Sequence, residues 1–123
     1  MKTKHVPDLE LCQELDRLCK ENNITLPETE FYWVEATISG EWYLASNADN
    51  HYSPATKGFF PAPLVSEQGE WLPETVFQTK EDGMFMLRVC EKEIATKIGN
   101  VTEANARQSM LLYLIREDII TKL

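Results

Sequence analysis

The chain has 123 residues, of which 43% are hydrophobic and 26% charged, and this composition is typical of soluble globular proteins rather than disordered ones. The length predicts a single globular domain over residues 1–123. The formal net charge of -8 disfavours direct contact with nucleic-acid phosphates. The longest uninterrupted apolar run, Met110 to Ile115, is too short to span a membrane.

The N-terminal sequence MKTKHVPDLE is basic but has no apolar core, so it is not expected to be a secretory signal peptide. We therefore expect a cytoplasmic protein. Cys12, Cys19 and Cys90 have no C-x-x-C spacing, and we expect them to be buried free thiols. An acidic surface is explained by solubility or by a basic partner protein.

The first helix is predicted to begin at Asp8 as N-cap and to stop at Asn22-Asn23. Its apolar residues repeat every three or four positions: Leu11, Cys12, Leu15, Leu18 and Cys19. A β-rich run from Phe31 to Ile38 follows. Ser39-Gly40 reverses the chain into Trp42–Ala45, which predicts a first hairpin.

Residues 46–61 contain turn-forming residues and three breakers, and they are predicted to form one long loop. A short helix is expected between Pro63 and Pro73. Residues 91–100 have no assignment. The last helix is predicted to begin at the N-cap Thr102 and to continue through Ile115 or as far as Ile120.

Thr75 to Cys90 is predicted to form a second hairpin, because Asp82-Gly83 lies between two runs of β-forming residues. A two-residue turn would leave neither face cleanly apolar. A three-residue loop, Glu81-Asp82-Gly83, pairs Phe77 with Leu87 on one face and leaves Met84, Met86 and Arg88 on the wetter face. We favour the three-residue loop.

The order of elements is α, β-β, α, β-β, α, and tight turns between strands imply antiparallel pairing. The predicted fold class is α+β, with a small antiparallel sheet of two hairpins and about three helices packed on it.

Few residues suggest chemistry. The cluster Asn47, Asp49, Asn50 and His51 only superficially resembles a calcium loop, since Tyr52 and Gly58 stand where Gly and Glu are needed. Glu35 shares a strand face with Phe31 and Trp33. That face is either apolar, which would raise the pKa of Glu35, or it is the wet face. Glu35, Asp49 and His51 are the candidate functional polar residues, while no catalytic, metal or cofactor site is predicted.

Aromatic residues are more numerous than a small core requires, and acidic neighbours argue against their stacking on nucleic-acid bases. Phe59-Phe60 lies in the predicted long loop, where exposed apolar residues often mark protein contacts. Phe59, Phe60, Tyr52 and Trp42 are therefore predicted as an interaction surface.

Four segments resemble small uncharacterised proteins of bacterial phage and prophage genomes. They are L-x-x-L-C-K-x-N (Leu15 to Asn22), LPETEFYWV (Leu26 to Val34), FPAPLVSEQGEWLP (Phe60 to Pro73) and TEANARQSMLLYLI (Thr102 to Ile115). The resemblance covers most of the chain but rests on caps, core positions and helix starts. It implies an accessory protein of a mobile element in a bacterial cytoplasm and carries over no catalytic residue.

These observations favour a non-enzymatic protein that acts through a protein partner or as a homo-oligomer, without cofactors and away from membranes. The alternative is a small-ligand-binding domain with a pocket between the sheet and the 47–61 loop. An enzyme that uses Glu35, or Asp49 with His51, is the third and least favoured hypothesis.

Overall fold

The computed structural model describes residues 5–46, 58–91 and 94–123, and these ranges contain three helices and six strands. The predicted α+β class is confirmed. In chain order the elements are α1 (Leu9–Glu21), β1 (Phe31–Glu35), β2 (Trp42–Ser46), β3 (Gly58–Ala62), α2 (Val65–Trp71), β4 (Val76–Glu81), β5 (Met84–Glu91), β6 (Ile94–Asn100) and α3 (Glu103–Arg116).

The strands form two three-stranded antiparallel sheets, ordered β2-β1-β3 and β4-β5-β6, where we expected one sheet of two hairpins. Both hairpins exist, and each gains a third strand. β3 takes up the last residues of the predicted 46–61 loop, so the loop prediction is wrong at 58–61 and at Ser46, which ends β2. Pro61 is compatible with β3 because an edge strand leaves one side of its backbone unpaired. β6 accounts for most of the unassigned segment.

The hairpin of β4 and β5 has a two-residue turn, so the predicted three-residue loop is wrong. Glu81 pairs with Met84 and Phe77 with Arg88. Asp82 and Gly83 have φ values of 51° and 78°, and two successive left-handed residues give a turn whose twist matches that of the strands. We had required the inner face of both strands to be apolar. That requirement failed because β4 is an edge strand, where polar side chains on the inner side still reach water.

α1 and α3 match their predicted positions. Asn23 has φ 56° and follows the end of α1, and the side chain of Thr102 accepts a hydrogen bond from the Asn105 backbone N–H at 3.2 Å. The predicted capping role of Asp8 is only half right. Asp8 is the N-cap by position, but its side chain makes no capping bond and instead accepts from Asn105 Nδ2 at 3.0 Å.

The main core lies between α1, α3 and the inner face of β4-β5-β6. Its buried residues include Leu15, Leu18, Leu87, Val89, Met110, Leu111, Leu114 and Ile115. A second cluster joins α1 to the β2-β1-β3 sheet through Val6, Cys12 and Ala62, against which Trp33 and Phe60 pack. α1 therefore contacts both α3 and β3, and it connects the two sheets.

The short helix α2 is held on α3 by a buried amide pair. Gln68 is fully buried, and its Nε2 donates to Ala104 O at 2.9 Å and to Gln108 Oε1 at 3.0 Å. Gln108 Nε2 in turn donates to Leu11 O at 3.4 Å. This chain of hydrogen bonds links all three helices. It orients α2, and with it the start of β4.

Candidate interaction surface

The structure divides the predicted aromatic surface between two faces of one sheet. Phe59 and Phe60 are neighbours in β3, so their side chains point to opposite sides. Phe59 is 50% exposed and meets the Tyr32 ring edge-on at 5.7 Å, whereas Phe60 is half-buried and stacks beside Trp42 at 5.6 Å. Tyr52 lies outside the described residues. Partner contact through this group stays a prediction, and only Phe59 among its described members is exposed.

Glu35 lies at the end of β1, in register with Trp42 and Gly58. Its side chain is half-buried on the same face as Phe31 and Trp33, as strand alternation predicts. That face is apolar, since Phe31 and Trp33 pack on the cluster beneath α1. Tyr32 and Val34 on the other face are buried too, so neither face of β1 is the wet one. Asp49 and His51 lie outside the described residues, and a catalytic role for them stays a prediction.

The outer side of β4-β5-β6 carries exposed apolar side chains, as does the outer side of β2-β1-β3, where Tyr43 and Phe59 flank Val34. Because Leu87 and Val89 point into the core, alternation directs their neighbours in β5 outward. We define the open sheet face by its outward residues, namely Phe77, Thr79, Glu81, Met84, Met86, Arg88, Cys90, Ala95, Lys97 and Gly99. Phe77 is 66% exposed and Met84 37% exposed.

Gly99 makes room on this face for a methionine side chain of the neighbouring strand. A Cβ atom at position 99 would overlap the sulfur of Met86 and would lie 3.5 Å from the terminal methyl of Met84. The absence of a side chain at Gly99 therefore lets Met86 lie across β6. Methionine side chains are flexible and polarizable, and they adapt well to the shape of a contacting surface.

Charged side chains of both signs cross the same face. Glu81 accepts from Thr79 at 3.0 Å and pairs with Arg88 at 2.9 Å and with Lys97 at 3.4 Å. The hydrogen bond from Thr79, followed by the two cations, holds the pKa of the Glu81 carboxyl below its usual range. Exposed ion pairs of this kind stabilise a fold little. Their effect is to fix the positions of charge on the face.

Cys90 corrects the prediction that all three cysteines are buried. Cys12 and Cys19 are buried as expected, while Cys90 is exposed at one end of the open sheet face. Its strand position explains the difference, since Cys90 follows the buried Val89 and points to the other side of the sheet. Cys90 borders a shallow depression of about 370 Å³ that Arg88, Ala95 and Lys97 also line.

A cleft of about 230 Å³ opens beside α2, lined in part by Leu72, Val76 and Leu87. Arg107 forms its polar edge. The guanidinium donates to Gln78 Oε1 and to Val65 O, both at 2.8 Å, and it is 3.4 Å from Glu103. A Cβ at position 69 would lie 2.7 Å from Arg107 Nη1, so a glycine in α2 makes room for this side chain.

Among residues 5–46, 58–91 and 94–123, no group of three or more His, Cys, Asp or Glu side chains is arranged to hold a metal ion. None of the helices in these ranges has the length and apolar content needed to cross a bilayer.

No protein-family model matches the chain, and comparison with curated proteins and with solved structures finds no match either. The function must therefore be argued from the surface itself.

Sequence reasoning found only part of the open sheet face. It assigned Met84, Met86 and Arg88 to the outer side of the hairpin, which is confirmed. It placed Phe77 on the inner side, because a shift of one residue in the turn moves every β4 side chain to the other face. The signal that would have corrected the register was Asp82-Gly83 itself, which favours a two-residue turn.

Proposed function

We propose that this chain is a non-enzymatic accessory protein of a phage or prophage element, which acts in the host cytoplasm by binding another protein chain through the open sheet face. The observation that carries the proposal is the exposure of Phe77 and Met84 on a face whose opposite side already forms the main core. The resemblance of four segments to phage and prophage proteins supports the context. No catalytic residue is part of the proposal.

The energetic support comes from the exposed aromatic ring. A phenylalanine that is fully covered buries roughly 150–250 Å². Phe77 is 66% exposed, so a partner that covers it removes on the order of 100 Å² of apolar surface from water and gains about 2.5 kcal/mol. Contiguous exposed apolar surface rimmed by polar groups is characteristic of protein contacts.

The experiment compares two exposed phenylalanines in edge strands of different sheets. Phe77→Ser and Phe59→Ser are each tagged, checked for folding by circular dichroism, and used to capture proteins from lysate of a bacterial host that also expresses the untagged chain. We expect Phe77→Ser to lose a protein that both the wild type and Phe59→Ser retain. The opposite pattern would assign the contact to the β2-β1-β3 sheet. Capture by both variants at the level of the wild type would refute a role for either residue.

The second candidate function, small-ligand binding, is favoured by the cleft beside Arg107. The pocket predicted between the sheet and the 47–61 loop involves residues 47–57, which lie outside the described residues. The Arg107 cleft instead combines an apolar floor with a fixed guanidinium, a combination that suits a small carboxylate with a short apolar group. A thermal-shift series of aliphatic carboxylates tests it. A rise in melting temperature that Arg107→Gln abolishes would support this function, and no rise for any member would refute it.

A further inference from the structure

The charge of this protein is distributed very unevenly along the chain. Residues 1–74 contain thirteen acidic and five basic residues, which accounts for the whole net charge of -8. Residues 75–123 contain seven of each and are neutral. The open sheet face belongs entirely to the neutral part. It presents Arg88 and Lys97 against Glu81, so it is slightly positive on an acidic molecule.

We infer that the partner of the open sheet face is a second copy of this chain, packed face to face about a two-fold axis. This inference rests on the proposed function and names the occupant of the same surface. A two-fold contact requires a patch that is complementary to itself. The open sheet face meets that requirement, because it carries both signs of charge next to the apolar side chains of Phe77, Met84 and Met86.

The geometry keeps the acidic side chains of α1 apart in two copies. α3 lies directly against β5 and β6, and α1 lies against α3. A helix packs about 10 Å from a sheet and another 8–10 Å from the next helix, so the acidic side chains of α1 lie roughly 20 Å behind the open sheet face. This is more than twice the screening length of about 8 Å at physiological ionic strength. Contact through this face therefore brings nearly neutral surfaces together and leaves α1 on the outer side of each copy.

The size of the face sets the expected strength of the contact. The eight residues of β5 span about 27 Å, and three strands are about 14 Å wide, so stacking two such faces covers on the order of 400 Å² on each copy. The total of about 800 Å² is below the roughly 1,200 Å² of stable specific interfaces and in the range of weak, transient ones. We therefore expect a reversible dimer that forms at roughly 10–100 µM protein rather than an obligate one.

Sedimentation of the full chain under reducing conditions tests the inference, at about 50 mM and about 500 mM NaCl. We expect a monomer-dimer equilibrium that persists at high salt, because the contact centres on exposed apolar side chains and the face carries little net charge. Phe77→Ser should weaken dimerisation by about tenfold or more, and the matched Phe59→Ser should leave it within about twofold. A monomer at both salts, a dimer insensitive to Phe77→Ser, or a dimer that dissociates at high salt would each overturn the inference.

Cys90 provides a second readout on the same face. Its thiolate displaces iodide from iodoacetamide, forming a carbon–sulfur bond and releasing the thiol proton to the buffer. In the native protein the buried Cys12 and Cys19 should not compete. We expect the alkylation rate of Cys90 to fall as protein concentration rises in the wild type, and to stay constant in Phe77→Ser. A rate independent of concentration in both proteins would count against the dimer.

The two proposals fail differently. If the chain is monomeric but Phe77→Ser still loses a captured host protein, the face binds a different partner, so the inference is wrong and the proposed function stands. If Phe77→Ser changes neither sedimentation nor capture, both are wrong.

Discussion

Replacing Asn105 by alanine removes a reciprocal pair of hydrogen bonds that joins the start of α1 to the first turn of α3. Asn105 is 6% exposed; its Oδ1 accepts from Asp8 N at 2.8 Å, and its Nδ2 donates to Asp8 Oδ2 at 3.0 Å. The two residues are 97 positions apart in the chain. The pair therefore closes the molecule between its first and last helices.

The magnitude follows from the two bonds. A neutral hydrogen bond contributes about 1 kcal/mol and one to a carboxylate about 1.5–3 kcal/mol. Asp8 is exposed, so water replaces part of the loss. Alanine also regains roughly 0.5 kcal/mol of helix propensity. We expect Asn105→Ala to lower the free energy of unfolding by about 2 kcal/mol, which corresponds to about 8 °C in Tm for a chain of this length.

Urea unfolding followed by tryptophan fluorescence measures this change, in a double-mutant cycle with Asp8→Ala. The coupling between the two substitutions should be at least about 1 kcal/mol. Asn22→Ala is the matched control, because Asn22 is exposed and its Nδ2 makes a single bond to Leu18 O, so it should cost under about 1 kcal/mol. A coupling near zero would show that the bond from Asn105 Nδ2 to the Asp8 carboxylate adds no stability, since Asp8→Ala leaves the backbone bond to Asn105 Oδ1 in place. An Asn105→Ala effect no larger than that of the control would show that the pair does not hold the helices together.

Alanine should have different effects at two glycine positions. Gly83→Ala should lower the free energy of unfolding by about 1–2 kcal/mol because the φ of Gly83 is 78°. Gly99→Ala should change stability by less than about 0.5 kcal/mol, yet weaken dimerisation in sedimentation by displacing the methionine that lies over it. Mass spectrometry after brief native alkylation should find Cys90 modified, with Cys12 and Cys19 modified only after unfolding. Burial raises the pKa of Cys19 to about 11. Above about pH 9 the thiol therefore ionises in the unfolded chain before it does so in the folded one, and the free energy of unfolding measured in urea should fall as pH rises from about 9 towards 11.

The parts of the fold that sequence predicted well depend on local signals. α1 and α3 follow from apolar spacing together with stop and start residues such as Asn23 and Thr102, all within a few positions of the helices. The β4-β5 hairpin follows from Asp82-Gly83 in the same way. These features need no information about distant parts of the chain.

The parts that sequence missed depend on distant partners. β3 was hidden because its ladder partner, β1, lies more than twenty residues earlier, so no turn signal links them. Asp8 was expected to cap its own helix, but Asn105 competes for its carboxylate. The register of β4 failed for a related reason. We required both strands to bury one face, whereas Gln78 and Lys80 lie exposed on the inner side, at the edge of the sheet.

The exposed apolar residues of the open sheet face are not explained by the needs of the fold alone. Thr79, Arg88 and Lys97 occupy outward positions of the same three strands, so polar side chains are compatible with the sheet there. Threonine, like phenylalanine, has a high propensity for strands. Phe77 and Met84 therefore add exposed apolar surface that neither the core nor the strand conformation requires. Such surface lowers solubility unless it is covered, and a reversible contact with a second copy covers it on both chains at once.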